Sequence, residues 1–386
     1  MLRFTGVAAA ASVALFGSLV APLSAAAAGA ALPPFASMDT LFSFGDSYST
    51  VGYKPDQGLT PLPGLGGTTS GGYNWVQFLA KGQNQSYFDF AQSAATVNNS
   101  IIHIDRGTLP PSFDMQLAQF EQFFGGSEPE IPWTADKSLF TVFFGINDIG
   151  FTVLQGPHNA SEIVPRIVAS YEASVTQLYE RGARHFLLLL MPPTNRTPYI
   201  RSFGAETGAK FIATIELFVS TLTAAIADLS ARYPDATFTT YDTAPLFNAI
   251  LDSAEEYGFT VSSKSCYAYW NKHQPDNDQP SCDAPLSEYV WNDDYHPTWR
   301  VHALLAEDIT KTLTGDAFAL GVGTTPSGEI LTRRTTDDAP RPAKRRTFER
   351  RRPGHASLRA AGAGARAQAV LRERMRRSWA GLPADS

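Results

Sequence analysis

Two unbroken apolar runs, residues 139–144 (LFTVFF) and 186–191 (FLLLLM), flank a segment of quite different pattern. An apolar run without alternation buries both faces, and a strand does so only inside a sheet covered on both sides. The segment between them, 164–180, has apolar residues at Val164, Ile167, Val168, Tyr171, Val175 and Leu178, the spacing of one helical face. A strand, a helix and a second buried strand in that order make a crossover unit with parallel strands. The same alternation extends in both directions. Residues 41–44 and 87–91 read as strands, 73–79 as an amphipathic segment and 112–124 as a helix. Beyond the second run, 211–229 reads as a helix, 237–241 as a strand, and 245–257 and 297–313 as helices. Residues 50–72, rich in Gly, Pro and Thr, read as loop. The expectation is one α/β domain over residues 29–316: three α/β/α layers around a central parallel sheet.

The two ends differ from this body. Residues 1–28 have the layout of a secretory signal: Arg3, an apolar Ala-rich run over 7–20, then small residues suited to cleavage. The apolar run is shorter than the roughly 20 residues a bilayer requires, and no further span is read, so no transmembrane segment is expected. Residues 317–386 are Arg- and Ala-rich and lack the apolar side chains that would offset ordering, so this tail is expected to be disordered. From residue 331 onward there are 15 basic against 5 acidic side chains, while the preceding part holds 16 against 32. The formal net charge of −6 averages these opposite halves. A basic tail suits acidic surfaces, but an untethered tail is the simpler reading, and no nucleic-acid partner is expected.

Cys266 and Cys282 are the only cysteines. In an exported protein they are expected to pair, closing a loop of about 15 residues. A metal site is the other reading, and two Cys without a nearby His pair make a poor zinc cage. Asn84, Asn98, Asn159 and Asn195 each begin an Asn-x-Ser/Thr sequon, which with a signal points to a secreted glycoprotein.

The apolar strand 41–44 stops at Gly45, and Ser47 stands two residues later. A Ser delivered at a strand end is a candidate nucleophile, and acyl transfer then needs a base, a group that orients the base, and oxyanion donors. Of seven His, His296 has Asp293 three residues before it and Pro297 after it, which lets one imidazole nitrogen meet a carboxylate while the other faces Ser47. The Gly-x-Ser-x-Gly elbow is absent, Ser49 standing where the second Gly would be. Asn147, in Gly145-Ile146-Asn147-Asp148, follows a buried strand, where parallel sheets place functional groups. Its amide can donate to an oxyanion; the alternative is a strand-end turn.

In order along the chain, Gly45-Asp46-Ser47, Gly145-Ile146-Asn147-Asp148 and Asp293 with His296 resemble three of the four blocks of the GDSL or SGNH hydrolase superfamily. The second block, Asn-aromatic-Ala-x-x-Gly, is similar to Asp89-Phe90-Ala91-Gln92-Ser93-Ala94, with Ala in the place of the Gly. The flanks, such as Phe44-Gly45-Asp46-Ser47-Tyr48 and Trp291-Asn292-Asp293-Asp294-Tyr295-His296-Pro297-Thr298, look most like secreted fungal acetylesterases of carbohydrate esterase family 16. The resemblance runs from about residue 40 to 313. It implies a flavodoxin-like fold, no metal or other cofactor, Ser47, Asp293 and His296 as the triad, and Ser47, Ala94 and Asn147 as oxyanion donors. It also implies an ester substrate, in that family acetylated hemicellulose oligosaccharides. Tyr48, Tyr73, Trp75, Trp291 and Trp299, near the motifs, are candidates for stacking on sugar rings. A monomer is expected. The alternatives are a lipase-like acylhydrolase acting on lipid esters and an inactive carbohydrate-binding relative.

Overall fold

The computed structural model describes residues 30–52, 67–83, 85–102, 109–155, 158–270, 278–315, 322–324 and 330–332. The expected signal at 1–28, the sequon Asn84 and most of the tail lie outside the described residues.

Five strands form the sheet: β1 (Thr40–Gly45), β2 (Ser86–Asp89), β3 (Ser138–Phe143), β4 (His185–Leu190) and β5 (Thr237–Asp242). All four pairings are parallel, in the order β2-β1-β3-β4-β5. This is the flavodoxin-like order, and its direction of winding reverses between β1 and β3. The helices are α1 (Trp75–Gln83), α2 (Phe113–Phe124), α3 (Ile146–Leu154), α4 (Ala160–Glu180), α5 (Pro198–Arg201), α6 (Ala205–Arg232), α7 (Ala244–Asp252) and α8 (Trp299–Thr314). α1 packs on α8, while α2 packs on α4 and α4 on α6, which puts a helical layer on each face of the sheet. The three-layer expectation holds.

β1, β3 and β4 are buried at almost every position, as their unbroken apolar runs require. Phe42 shows how β1 is anchored. Its ring centroid lies 4.9–5.7 Å from those of Phe88, Phe120, Phe124, Trp133 and Phe140. Truncating such a residue costs about 3–5 kcal/mol, so the end of β1 is a rigid platform.

The differences from the sequence reading are local. α4 begins four residues before its first expected position, because Asn159 caps it by accepting the Ser161 N–H. The expected helix at 245–257 divides at Ser253 into α7 and a 3-10 turn, Ala254–Tyr257. α3 is not among the helices expected from the sequence, where residues 145–148 carry a strand-end group with a turn as the alternative; its β-branched, Gly-containing sequence hid it. α6 is long and apolar enough to cross a membrane by length and composition, although the sequence reading saw no further span. Here Phe211, Phe218, Leu222, Ile226 and Leu229 form its buried face, and it packs on α4 and β5. Within the tail expected to be disordered, β6 (Val322–Thr324) and β7 (Ile330–Thr332) pair antiparallel, with β6 beside α8.

Candidate active site

Ser47 follows β1 and Asn147 follows β3, so the two flank the switch point of the sheet at its carboxyl end. The turn after β1 is built by Asp46. Its carbonyl accepts the Ser49 and Thr50 N–H groups, and its Oδ1 accepts the Tyr48 N–H at 2.9 Å. Gln116 of α2 clamps the strand end: it accepts the Gly45 N–H at 3.0 Å and donates to the Gly45 carbonyl at 2.9 Å. A Cβ at Gly45 would stand 2.9 Å from the Phe143 carbonyl oxygen, so the residue before the turn has to be glycine.

Asp293 and His296 lie on the loop leading into α8. Ser47 Oγ is 2.8 Å from His296 Nε2, and His296 Nδ1 is 2.8 and 3.0 Å from Asp293 Oδ2 and Oδ1. An ionised carboxylate only accepts, so Nδ1 carries the proton and Nε2 accepts from the Ser47 hydroxyl. Burial pushes the Asp293 carboxyl up. Attraction to the His296 ring in its protonated form, with hydrogen bonds from that ring and from the Tyr295 and His296 amides, outweighs burial and holds it below the usual carboxylate range. The loop is tied in several places: Asn292 N–H donates to the His296 carbonyl at 2.8 Å, Trp291 pairs with Pro297, and Asn292 Nδ2 donates to the Thr69 carbonyl at 2.8 Å. Thr69 Oγ1 donates in turn to the Ser47 carbonyl at 2.7 Å, joining the hydroxyl and imidazole loops through one residue. Cys266 and Cys282 are joined as a disulfide, and Ser265 beside them donates to Asp294 Oδ1 at 2.6 Å.

Asn147 is on the first turn of α3, with Gly145 as N-cap at φ 117°. A Cβ there would lie 2.5 Å from the Phe218 ring, so both the backbone and α6 demand glycine. Asn147 Nδ2 donates to the Ala95 carbonyl at 2.9 Å, and Asp148 Oδ1 accepts the Val97 N–H at 3.0 Å. The start of α3 therefore holds the 94–97 loop. Ala94 has φ 64°, the only positive φ outside glycine among the described residues. The backbone keeps the left-handed conformation that suits a Gly and carries a methyl there with strain. The amide N–H groups of Ser47 and Ala94 donate to no acceptor among the described residues. A hydroxyl bonded to an imidazole, with spare N–H groups nearby, can attack a carbonyl and receive the resulting oxyanion.

Sequence reasoning missed several supports. Asp46 and Asp148 each leave Oδ2 without a partner among the described residues, and burial raises both carboxyls to about 7. Asp89 accepts the Val51 N–H at 2.8 Å and is raised by burial to about 8. His302, packed near Tyr48, is lowered to about 3 by burial and by His296. Each is a titratable group beside an apolar run, a pattern that does not reveal burial in advance. The aromatic expectation is corrected: Tyr48, Trp75, Trp291 and Trp299 are at most 3% exposed and cannot meet a sugar. Tyr48 OH donates to the Tyr295 carbonyl and Trp291 Nε1 to that of Ser262, so these rings pin the loops. Tyr73 is half-buried beneath Lys81. Of the sequons, Asn159 is exposed, and Asn98 and Asn195 are half-buried.

The GDSL-like Lipase/Acylhydrolase family pattern matches residues 41–309. An acetylesterase of Thermothelomyces thermophilus is 33% identical over 291 residues, covering 72% of this chain and 89% of that protein. A thermolabile hemolysin of Vibrio parahaemolyticus is 24% identical, covering 71% of this chain and 64% of its own. An acetylxylan esterase structure from Geobacillus stearothermophilus matches 73% of this chain and 96% of its own, with 14% identity and a TM-score of 0.41, too slight to bear on function.

Proposed function

The chain belongs to the GDSL-like lipase/acylhydrolase family and is a carboxylic ester hydrolase, and on that premise we propose that it is a secreted acetylesterase acting on acetylated hemicellulose oligosaccharides. The observation that carries the reading is the hydrogen-bonded chain Ser47–His296–Asp293 at the sheet switch point, in a chain whose 33% identical relative is an acetylesterase.

In this mechanism His296 Nε2 takes the Ser47 proton as Oγ bonds to the ester carbonyl carbon. The oxyanion is received by the Ser47 and Ala94 N–H groups and the Asn147 amide. Collapse breaks the bond to the sugar oxygen, which leaves with the proton from His296. Water, deprotonated by His296, then attacks the acyl-enzyme and releases acetate and Ser47. Asp293 keeps the imidazole in the required tautomer and stabilises its charged form. The Cys266–Cys282 disulfide fits an oxidising compartment. Loss of mass on treating the exported protein with peptide N-glycosidase would test the sequons; an unchanged mass would remove the glycoprotein reading.

The test is acetate release from acetylated xylo-oligosaccharides, beside p-nitrophenyl acetate and octanoate, with the wild type and Ser47→Ala. Release from the saccharide that Ser47→Ala abolishes is the expected result. Hydrolysis of octanoate alone would move the substrate to lipid esters, and silence on all three would favour a binding role.

A further inference from the structure

With four of the five motif aromatics buried, other rings are the candidates to meet a saccharide over Ser47. Among the described residues four large apolar side chains are exposed: Met115, Phe203, Ile212 and Tyr267. Two are aromatic, Phe203 at 46% exposure and Tyr267 at 56%, and both are tied to the loop that carries His296.

Phe203 reaches that loop through a relay of rings. It meets Tyr199 edge-on at 5.0 Å, Tyr199 meets Tyr295 at 5.9 Å, and Tyr295 meets His296 at 5.7 Å. The Tyr199 N–H also donates to the Asp294 carbonyl at 2.8 Å, so α5 is fixed to the loop by its backbone. Tyr267 comes from the other anchor of the same residue. It follows Cys266 of the disulfide, and Ser265 donates to the Asp294 carboxylate. Trp270 packs against Tyr267 with ring centroids 5.5 Å apart.

We propose that Phe203 and Tyr267 are specificity-determining residues that stack on pyranose rings of the acyl-bearing saccharide, placing its ester over Ser47. The proposal rests on the saccharide reading above. A flat ring face matches the C–H face of a pyranose, while its hydroxyls keep contact with water. An acyl chain would instead require a continuous apolar groove, and the anchor that the two segments share is polar, with Ser265 bonded to Asp294. Phe203 stands in the short turn between α5 and α6 and Tyr267 directly after a disulfide cysteine, so little freedom is lost when a sugar binds.

The experiment compares Phe203→Ala, Tyr267→Ala, Phe203→Trp and Tyr267→Trp with the wild type on acetylated xylotetraose and p-nitrophenyl acetate. Each Ala variant is expected to lower the ratio of saccharide to p-nitrophenyl acetate kcat/KM about three- to tenfold, through KM. The Trp variants should recover most of it. An unchanged ratio in both Ala variants, or Trp variants no better than Ala, overturns the proposal. Binding of xylotetraose to Ser47→Ala, read by calorimetry, separates this from the substrate reading. Without acetate release from the saccharide, binding that weakens in Phe203→Ala/Ser47→Ala keeps the ring platform and removes only the acetylesterase reading. No binding of xylotetraose overturns the platform.

Discussion

The loop bearing Asp293 and His296 and the loop bearing Ala94 both lie at the carboxyl end of the sheet, yet they are built in opposite ways. Around His296 the groups that orient the imidazole are bonded: two amides on Asp293 Oδ1, a backbone bridge at Trp291, and a side-chain tie from Asn292 to Thr69, while Asn292 Oδ1 has no partner among the described residues. On the side of Ala94 and the Ser47 turn, the backbone is strained at Ala94, the Ser47 and Ala94 N–H groups donate to nothing among the described residues, and Asp46 and Asp148 each keep a carboxyl oxygen without a partner there. A base has to be oriented before the substrate arrives, so its hydrogen bonds belong to the ground state. Oxyanion donors act only when charge develops, and donors already satisfied would have to break bonds to reach it. In the proposed mechanism, the difference in saturation follows from when each side acts.

Removing the oriented side should have the largest effect. His296→Ala is expected to lower kcat on p-nitrophenyl acetate by about 10⁴-fold; a loss below tenfold would remove His296 from the reaction. On the open side, Asn147→Ala should cost about 10²–10³-fold in kcat with little change in KM. A change confined to KM would mean that Asn147 only supports the 94–97 loop.

The buried carboxyls give a pH dependence of stability. Asp46, Asp148 and Asp89 are raised by burial to about 7, 7 and 8 from an ordinary value near 3.8. A folded pKa above the unfolded one gives stability that is complete at low pH and lost as pH rises through the folded value. His185 and His302 are lowered, so their opposing contribution falls below about pH 6.5, and Asp293, also lowered, is constant above that. Between about pH 6.5 and 8.5 the urea midpoint should therefore fall, and Asp46→Asn with Asp148→Asn should flatten the slope. A midpoint that rises over this range would contradict the burial of these groups.

The smallest effect concerns the strain itself. Ala94→Gly relieves a left-handed Ala but loosens the unfolded chain, for a net gain of about 0.5–1 kcal/mol. A lower melting temperature would show that the methyl contributes packing that outweighs the strain.

What the sequence made legible follows the same division. Ser47, Asp293 and His296 sit beside residues that advertise geometry (Gly45, Pro297 and a carboxylate three positions away), and the buried strands have no alternation to obscure them. Asn147 was legible as a strand-end group, but α3 was not, since helix formation there depends on Gly145 and the Phe218 contact from α6. The burial of Asp46 and Asp148 was not legible, because their neighbours come from distant elements. Nor was the burial of Trp75 and Trp291: nearness to a motif in sequence does not fix which way a ring points. The exposed Phe203 and Tyr267 lie outside every motif, and the ties of their segments to Asp294 and, for Phe203, to Tyr295 are tertiary contacts.

The central claim is that Ser47 carries the acyl group. The most direct measurement is rapid acid quench of the wild type during turnover of p-nitrophenyl acetate, followed by peptide mass mapping. The account predicts an acetyl group on the peptide containing Ser47, absent in Ser47→Ala and accumulating in a variant with slowed deacylation. Acetylation of another residue, or undiminished turnover in Ser47→Ala, would contradict it.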